Sequence, residues 1–385
     1  MTTLLLIIIY ITFISLGLPD SMTGAAWPAI MAELNVPLSL ESVLGMVTTC
    51  GTVISSLFSA KLLNKFGTGV VTAFSVMLTA VAIVGISLSP SFWWMMAMCI
   101  PLGMGAGAVD SGLNNYVALH FKASHMNFLH CFWGIGVTVS PLILSYALET
   151  FGEWRYGYKI VAVLQGILVL LLFLSLPLWK KKEEEDKTEE KKTLTLKQTF
   201  GIKGVFLACV AFACYCGVEY TCGQWGASYF VGVLGLDKAT AARWCSMFYL
   251  GVTIGRGICG FIAMKVKSRT MVFIGEVVMV LGCVVTMLPF PYVKLAGVLL
   301  IGLGCAPVFP GMLQMTPDRF GKEYSQNAMG VQMACAYVGS CCIYPVFGLL
   351  AEHITIKLYP YYMVIFAVLL LVSTILVEKM TANKE

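Results

Sequence analysis

Five charged side chains fall well inside long apolar stretches of this chain: Asp20, Asp110, Glu219, Arg256 and Glu276. An ionised group at the centre of a bilayer costs at least about 2.5–3.5 kcal/mol. Each must therefore face a polar interior, meet a partner or be neutralised by a proton. Asp110 lies four residues before Asn114, so the two share a helix face. It sits among Gly103, Gly105, Gly107 and Gly112, which also permit close helix contact. Asp20 follows Pro19, whose missing N–H kinks a helix and frees a carbonyl. A carboxylate in such a low-dielectric place can be protonated near neutral pH. The same oxygens, with Asn and backbone, could instead hold sodium, and the residues do not separate the two. Arg256 and Glu276 read equally well as a buried tether.

Uncharged polar groups accompany these acids. Asn114, Asn115, Gln224, Gln314 and Gln332, together with Glu219, offer the paired donors and acceptors that replace water at hydroxyl groups. Trp27, Trp133, Trp225 and Tyr229 offer flat apolar faces for the C–H side of a sugar, or simply pack. Trp93, Trp94, Trp154 and Trp179 lie near the ends of apolar runs, where tryptophan anchors or packs. His130 could reach Asp110 or bond to backbone. No H-E-x-x-H, G-x-S-x-G or nucleotide loop occurs, so neither an enzyme nor an ATP-driven engine is expected. The 14 cysteines show no Cys-x-x-Cys and no ligand spacing with His, and read as small packing residues. No cofactor is expected beyond a coupling ion, H+ or Na+.

The elements that position these groups follow from composition. Of 385 residues, 58% are hydrophobic and 12% charged, half the charge density of a soluble domain, which carries roughly a quarter. The remaining surface must face lipid. A spanning helix needs about 20 apolar residues, and the chain divides into twelve: near 4–32, 40–62, 69–89, 92–119, 125–148 and 157–179, then 201–232, 239–264, 270–289, 292–316, 325–351 and 357–378. The runs are continuous rather than alternating, which excludes a transmembrane barrel. The N-terminal run lacks a basic lead and is too long for a signal peptide, so it counts as the first span. Eighteen of the 25 Lys and Arg lie on the face shared by the termini, and six on the other: Arg155, Lys159, Lys238, Arg243, Lys294 and Lys357. Both termini are therefore expected in the cytoplasm, with the chain in the plasma (cytoplasmic) membrane. The basic residues orient the chain; they form no separate patch for nucleic acid.

Residues 180–192, KKKEEEDKTEEKK, divide the spans six and six. Across that divide the chain repeats. Gly51, Ile54 and Lys65 recur as Gly251, Ile254 and Lys265. Leu102-Gly103-Met104-Gly105 recurs as Ile301-Gly302-Leu303-Gly304, Gly112 as Gly311, Asp20 as Glu219 and Gly24 as Gly223. The reading is an N-terminal bundle over 1–179, a charged cytoplasmic linker over 180–199 and a C-terminal bundle over 200–385. Substrate sites in folds of this kind lie near the midplane at the repeat interface. Spans 1, 4, 7 and 10 are expected to line that site, because Asp20, Asp110, Asn114, Glu219, Gln224 and Gln314 fall on them.

With these features the chain resembles the major facilitator superfamily. AKLLNKFG at 60–67 is a weakened form of that superfamily's G-x-L-x-D-R-x-G loop, with Ala60, Asn64 and Lys65 in place of Gly, Asp and Arg. GMGAGAVDSGLNNY (103–116), FLHCFWGIGVTVSPL (128–142) and VEYTCGQWGASYF (218–230) are similar to the fucose permease and sodium-dependent glucose transporter branch. The resemblance implies an all-α integral membrane fold of twelve helices in two pseudo-symmetric six-helix bundles. It implies a secondary transporter for a sugar or related polyol, working by alternating access coupled to H+ or Na+. It gives the coupling role to Asp110, with Asp20 as the acid of the first span. The partners expected are a small-molecule solute and the lipid bilayer, with the chain acting as a monomer. An exporter of amphipathic compounds and a non-transporting solute sensor are the competing readings.

Overall fold

The computed structural model describes residues 2–121, 123–179, 195–263, 265–321 and 324–381. Most of the charged linker lies outside them, as do the side chains of Ala60 and Asn64 in the 60–67 loop motif. Among the described residues every regular element is helical. The first half holds α1 (Thr2–Asp20), α2 (Met22–Leu34), α3 (Leu40–Phe66), α4 (Thr68–Ser87), α5 (Phe92–His120), α6 (Ala123–Phe151) and α7 (Trp154–Trp179). The short α8 (Leu196–Phe200) follows, closed at its start by a reciprocal Thr195–Gln198 capping box. Then come α9 (Val205–Leu234), α10 (Lys238–Ile262), α11 (Ser268–Met287), α12 (Pro291–Cys305), α13 (Val308–Gln314), α14 (Thr316–Phe320), α15 (Ser325–Val338), α16 (Tyr344–Leu350) and α17 (Tyr359–Thr381).

Eleven described helical stretches are long and apolar enough to cross a membrane. The last, Asn327–Thr381, has 55 residues, roughly 80 Å at helical rise against a hydrocarbon core of about 30 Å. π-helical turns at Gly339–Ile343 and Ala351–Thr355 and a 3-10 turn at Ile356–Leu358 interrupt it. The chain doubles back there, since the Tyr362 hydroxyl donates to the Ile343 carbonyl at 2.6 Å. That stretch is two spans, and the total is twelve.

Two compact units emerge. One joins Met1–Lys187 with Gly226–Ser246; the other joins Thr188–Trp225 with Met247–Glu385. They differ from the halves read in the sequence by one segment, Gly226–Ser246, the end of α9 with its turn and the start of α10, which groups with the first unit. Within the units the sequence repeat becomes a repeated helix crossing. In the first, a Cβ on Gly103 would strike the Thr48 carbonyl, and one on Gly51 would meet the Ile100 carbonyl and Met104 nitrogen. In the second, Gly302 stands against the Phe248 carbonyl, and Gly251 against the Leu299 carbonyl and Leu303 nitrogen. Helices touch backbone to backbone at both places, which only small residues allow. The core of the first unit, with Ile9, Phe13, Val76, Leu113 and Leu172, closes around α1, α4, α5 and α7.

Candidate functional site

Two prolines shape the surroundings of Asp20. Pro19 cannot donate to the Ser15 carbonyl one turn earlier; the buried Gln165 amide of α7 donates to it instead, at 2.9 Å. Pro141 likewise orphans the Val137 carbonyl of α6, and the Ser21 hydroxyl takes it at 2.8 Å. These repairs hold the break between α1 and α2, and Asp20 is the last residue before it. Asp20 is exposed there, and its Oδ2 accepts from the Trp133 indole N–H at 2.8 Å. Asp110, half-buried on α5, accepts from the Asn114 side-chain amide at 2.9 Å, as the four-residue spacing requires. The same amide reaches the Asp110 carbonyl at 2.9 Å, and Asn115 beside it is exposed. Asp20 and Asp110 lie within electrostatic reach of each other. His130 meets Phe13 edge-on, with ring centroids 5.9 Å apart.

The second unit treats its charges differently. Glu219 of α9 faces the Arg256 guanidinium of α10 at 3.7 Å, both largely enclosed at 17% and 13% side-chain exposure. The Tyr215 hydroxyl, beside Glu219, donates to the Cys305 carbonyl at 3.3 Å. Glu276 is fully buried on α11 and takes the Thr374 hydroxyl at 2.7 Å. The tether foreseen for Arg256 is thus made with Glu219, and Glu276 makes its own. Glu378 is held between Arg319 and Arg269, with the Arg269 Nε at 2.9 Å.

Four side chains read as solute ligands are engaged in contacts within the protein. Trp225 is 0% exposed and donates its indole N–H to the Tyr344 carbonyl at 3.1 Å, so its faces are filled by packing. Tyr229 is enclosed beside Phe230. Gln332 is buried and accepts from the Thr316 hydroxyl at 2.9 Å, joining α15 to α14. Gln314, at the end of α13, accepts from the Ser268 hydroxyl that starts α11, at 3.0 Å. Trp27 is also enclosed, bonded to the Leu38 carbonyl at 2.8 Å. Gln224 is half-buried on α9. One acid was missed by counting intramembrane charges. Glu41 sits in the first turn of α3, one residue past the assigned span edge, and is buried. Only that edge position could have flagged it. Gln165 carried a usable signal: a lone amide in an otherwise apolar span, opposite a proline kink.

The sequence profile of the Major Facilitator Superfamily matches residues 9–340, and again 227–383. The chain belongs to this family, a membrane transporter rather than an enzyme, and the fold expected for it is the one observed. A yeast relative, Bypass of stop codon protein 6 of Saccharomyces cerevisiae, is 24% identical over 91% of this chain and 77% of its own length. The glucose/mannose transporter GlcP of Bacillus subtilis is 23% identical over 87% of this chain and 84% of its own. The crystal structure of the E. coli fucose:proton symporter superposes with a TM-score of 0.64 at 14% identity, covering 96% of this chain and 98% of the symporter. That likeness is one of fold.

Proposed function

We propose that this transporter imports a neutral sugar or related polyol together with a proton, by alternating access of residues 1–179 and 200–385. One observation carries the coupling. The Asp110 carboxylate is hydrogen-bonded by the neutral Asn114 amide, and among the described residues it makes no ion pair. Its charge can change without stranding a cation. Asn114 and Asn115 on the same helix supply hydroxyl-binding groups, and Trp133 supplies an aromatic face beside Asp20. The sugar is favoured by this amide-rich set, and by a relative named as a glucose/mannose transporter. The basic asymmetry supports cytoplasmic termini in the plasma membrane; labelling of a Lys187→Cys variant from outside the cell would overturn that orientation.

The experiment is uptake into proteoliposomes of labelled hexoses, polyols and amphipathic cations, under separate proton and sodium gradients. A hexose or polyol should accumulate under an inward proton gradient and stop on adding a protonophore. Accumulation under a sodium gradient alone would move the coupling to sodium. Extrusion of the amphipathic compounds without sugar uptake would replace the proposal with an exporter.

A further inference from the structure

Glu41 is one of two deeply buried intramembrane acids. It is 1% exposed and, among the described residues, its Oε2 accepts no hydrogen bond, which is also true of the Glu276 Oε2. The titratable side chains within its electrostatic reach are the Cys99 thiol of α5 and the Tyr158 hydroxyl of α7. The neighbouring α4 carries no titratable residue, and the charged residue of α2, Glu33, is already held by Trp154 at 2.7 Å and by Arg155. Among the described residues no cation pairs with Glu41. Glu276, the other deeply buried acid, differs: it holds the Thr374 hydroxyl and has Arg319 within electrostatic reach. The amide groups at the start of α3 favour an anion only weakly. An enclosed carboxylate with an undonated oxygen forfeits far more hydration than that returns. It is relieved by a proton, which makes the group neutral.

Two hydrogen bonds tie α2 into this corner. Trp27 donates to the Leu38 carbonyl, just before Glu41, at 2.8 Å, and Thr23 meets the Tyr158 hydroxyl at 3.3 Å. Both can part if α2 moves, and water would then reach the carboxyl. Cys99 and Asp110 are separated by roughly 16 Å of α5, so this corner is distinct from the Asp110 site. We propose that Glu41 is a second proton-binding site of the first unit, loading and releasing H+ as α2 parts from Leu38 and Tyr158. The step is a simple ionisation of Glu–COOH to carboxylate and H+. Its role in transport rests on the proton-driven reading above.

Two measurements on the full-length protein test this. Infrared spectra of purified protein across a pH titration should contain the carbonyl stretch of a protonated carboxyl that is lost in Glu41→Gln and kept in Asp110→Asn. That readout needs no solute and survives a failure of the transport reading. In proteoliposomes, the pH at which proton-driven uptake is half-maximal should shift in Glu41→Gln. Glu41→Met, apolar and of similar volume, should give both results if the amide variant does not fold. An unchanged carbonyl band overturns the site, and an unchanged pH profile of uptake overturns its role in transport.

Discussion

Asp20 and Glu219 are repeat-related acids, and the two units use them oppositely. In the first unit Asp20 takes an indole N–H and Asp110 takes an amide, both neutral donors. In the second unit Glu219 faces a guanidinium. A carboxylate held by neutral donors can gain or lose a proton without leaving a bare charge behind. One held by arginine can be neutralised only by stranding the cation. The repeat-related acids thus meet different partners, an indole N–H at Asp20 and a guanidinium at Glu219, and the proposed variable charge falls to Asp110.

The largest effect should come from removing the variable charge. Asp110→Asn is expected to abolish gradient-driven accumulation, worth about tenfold for each pH unit imposed, while solute exchange at equal pH survives. Tracer counterflow against net uptake checks this; full accumulation would make Asp110 a structural acid and turn attention to Asp20. Next, Arg256→Gln strips the fixed pair of its cation and should cost about 3 kcal/mol of stability, the lower end for breaking an enclosed pair. The double variant with Glu219→Gln should recover most of it, read as thermal unfolding in detergent. Smaller effects should follow from crowding the repeated crossing. Gly103→Val and Gly302→Val each drive a side chain into backbone, at about 1–3 kcal/mol, and the two costs should match because the crossings match.

The smallest effect lies in the turn between α9 and α10. Asp237 accepts from the Thr240 backbone N–H at 2.9 Å, and its hydrogen bonds from Thr240 hold its carboxyl below the usual range. The cap stabilises above the ordinary carboxylate pKa and is lost as pH falls through the lowered folded value. Asp237→Ala should cost about 1 kcal/mol at neutral pH and nothing in acid, which a pH series of melting curves resolves.

The fold was readable because twelve apolar runs and a 200-residue repeat need no tertiary knowledge. Asp110 with Asn114 was readable because one helical turn separates them. The repairs at Pro19 and Pro141 were not: their donors, Gln165 and Ser21, stand 150 and 116 residues from the carbonyls they serve. Tryptophan was equally opaque. Trp133 and Trp225 look alike in sequence, yet one meets an acid and the other is sealed in packing. Polar residues mark several faces of α9, so periodicity alone could not choose. Glu41 was lost to a helix boundary, the part of a sequence reading with the least physical signal.

The most direct test of the asymmetry is proton movement driven by solute. Proteoliposomes with an internal pH dye would be exposed to the transported sugar at equal pH, comparing wild type, Asp110→Asn and the charge-neutral pair variant Glu219→Gln/Arg256→Gln. Sugar should acidify the lumen of wild-type vesicles and of the pair variant, and leave Asp110→Asn vesicles unchanged. Proton movement that persists in Asp110→Asn and vanishes in the pair variant would contradict the account, placing the variable charge in the second unit.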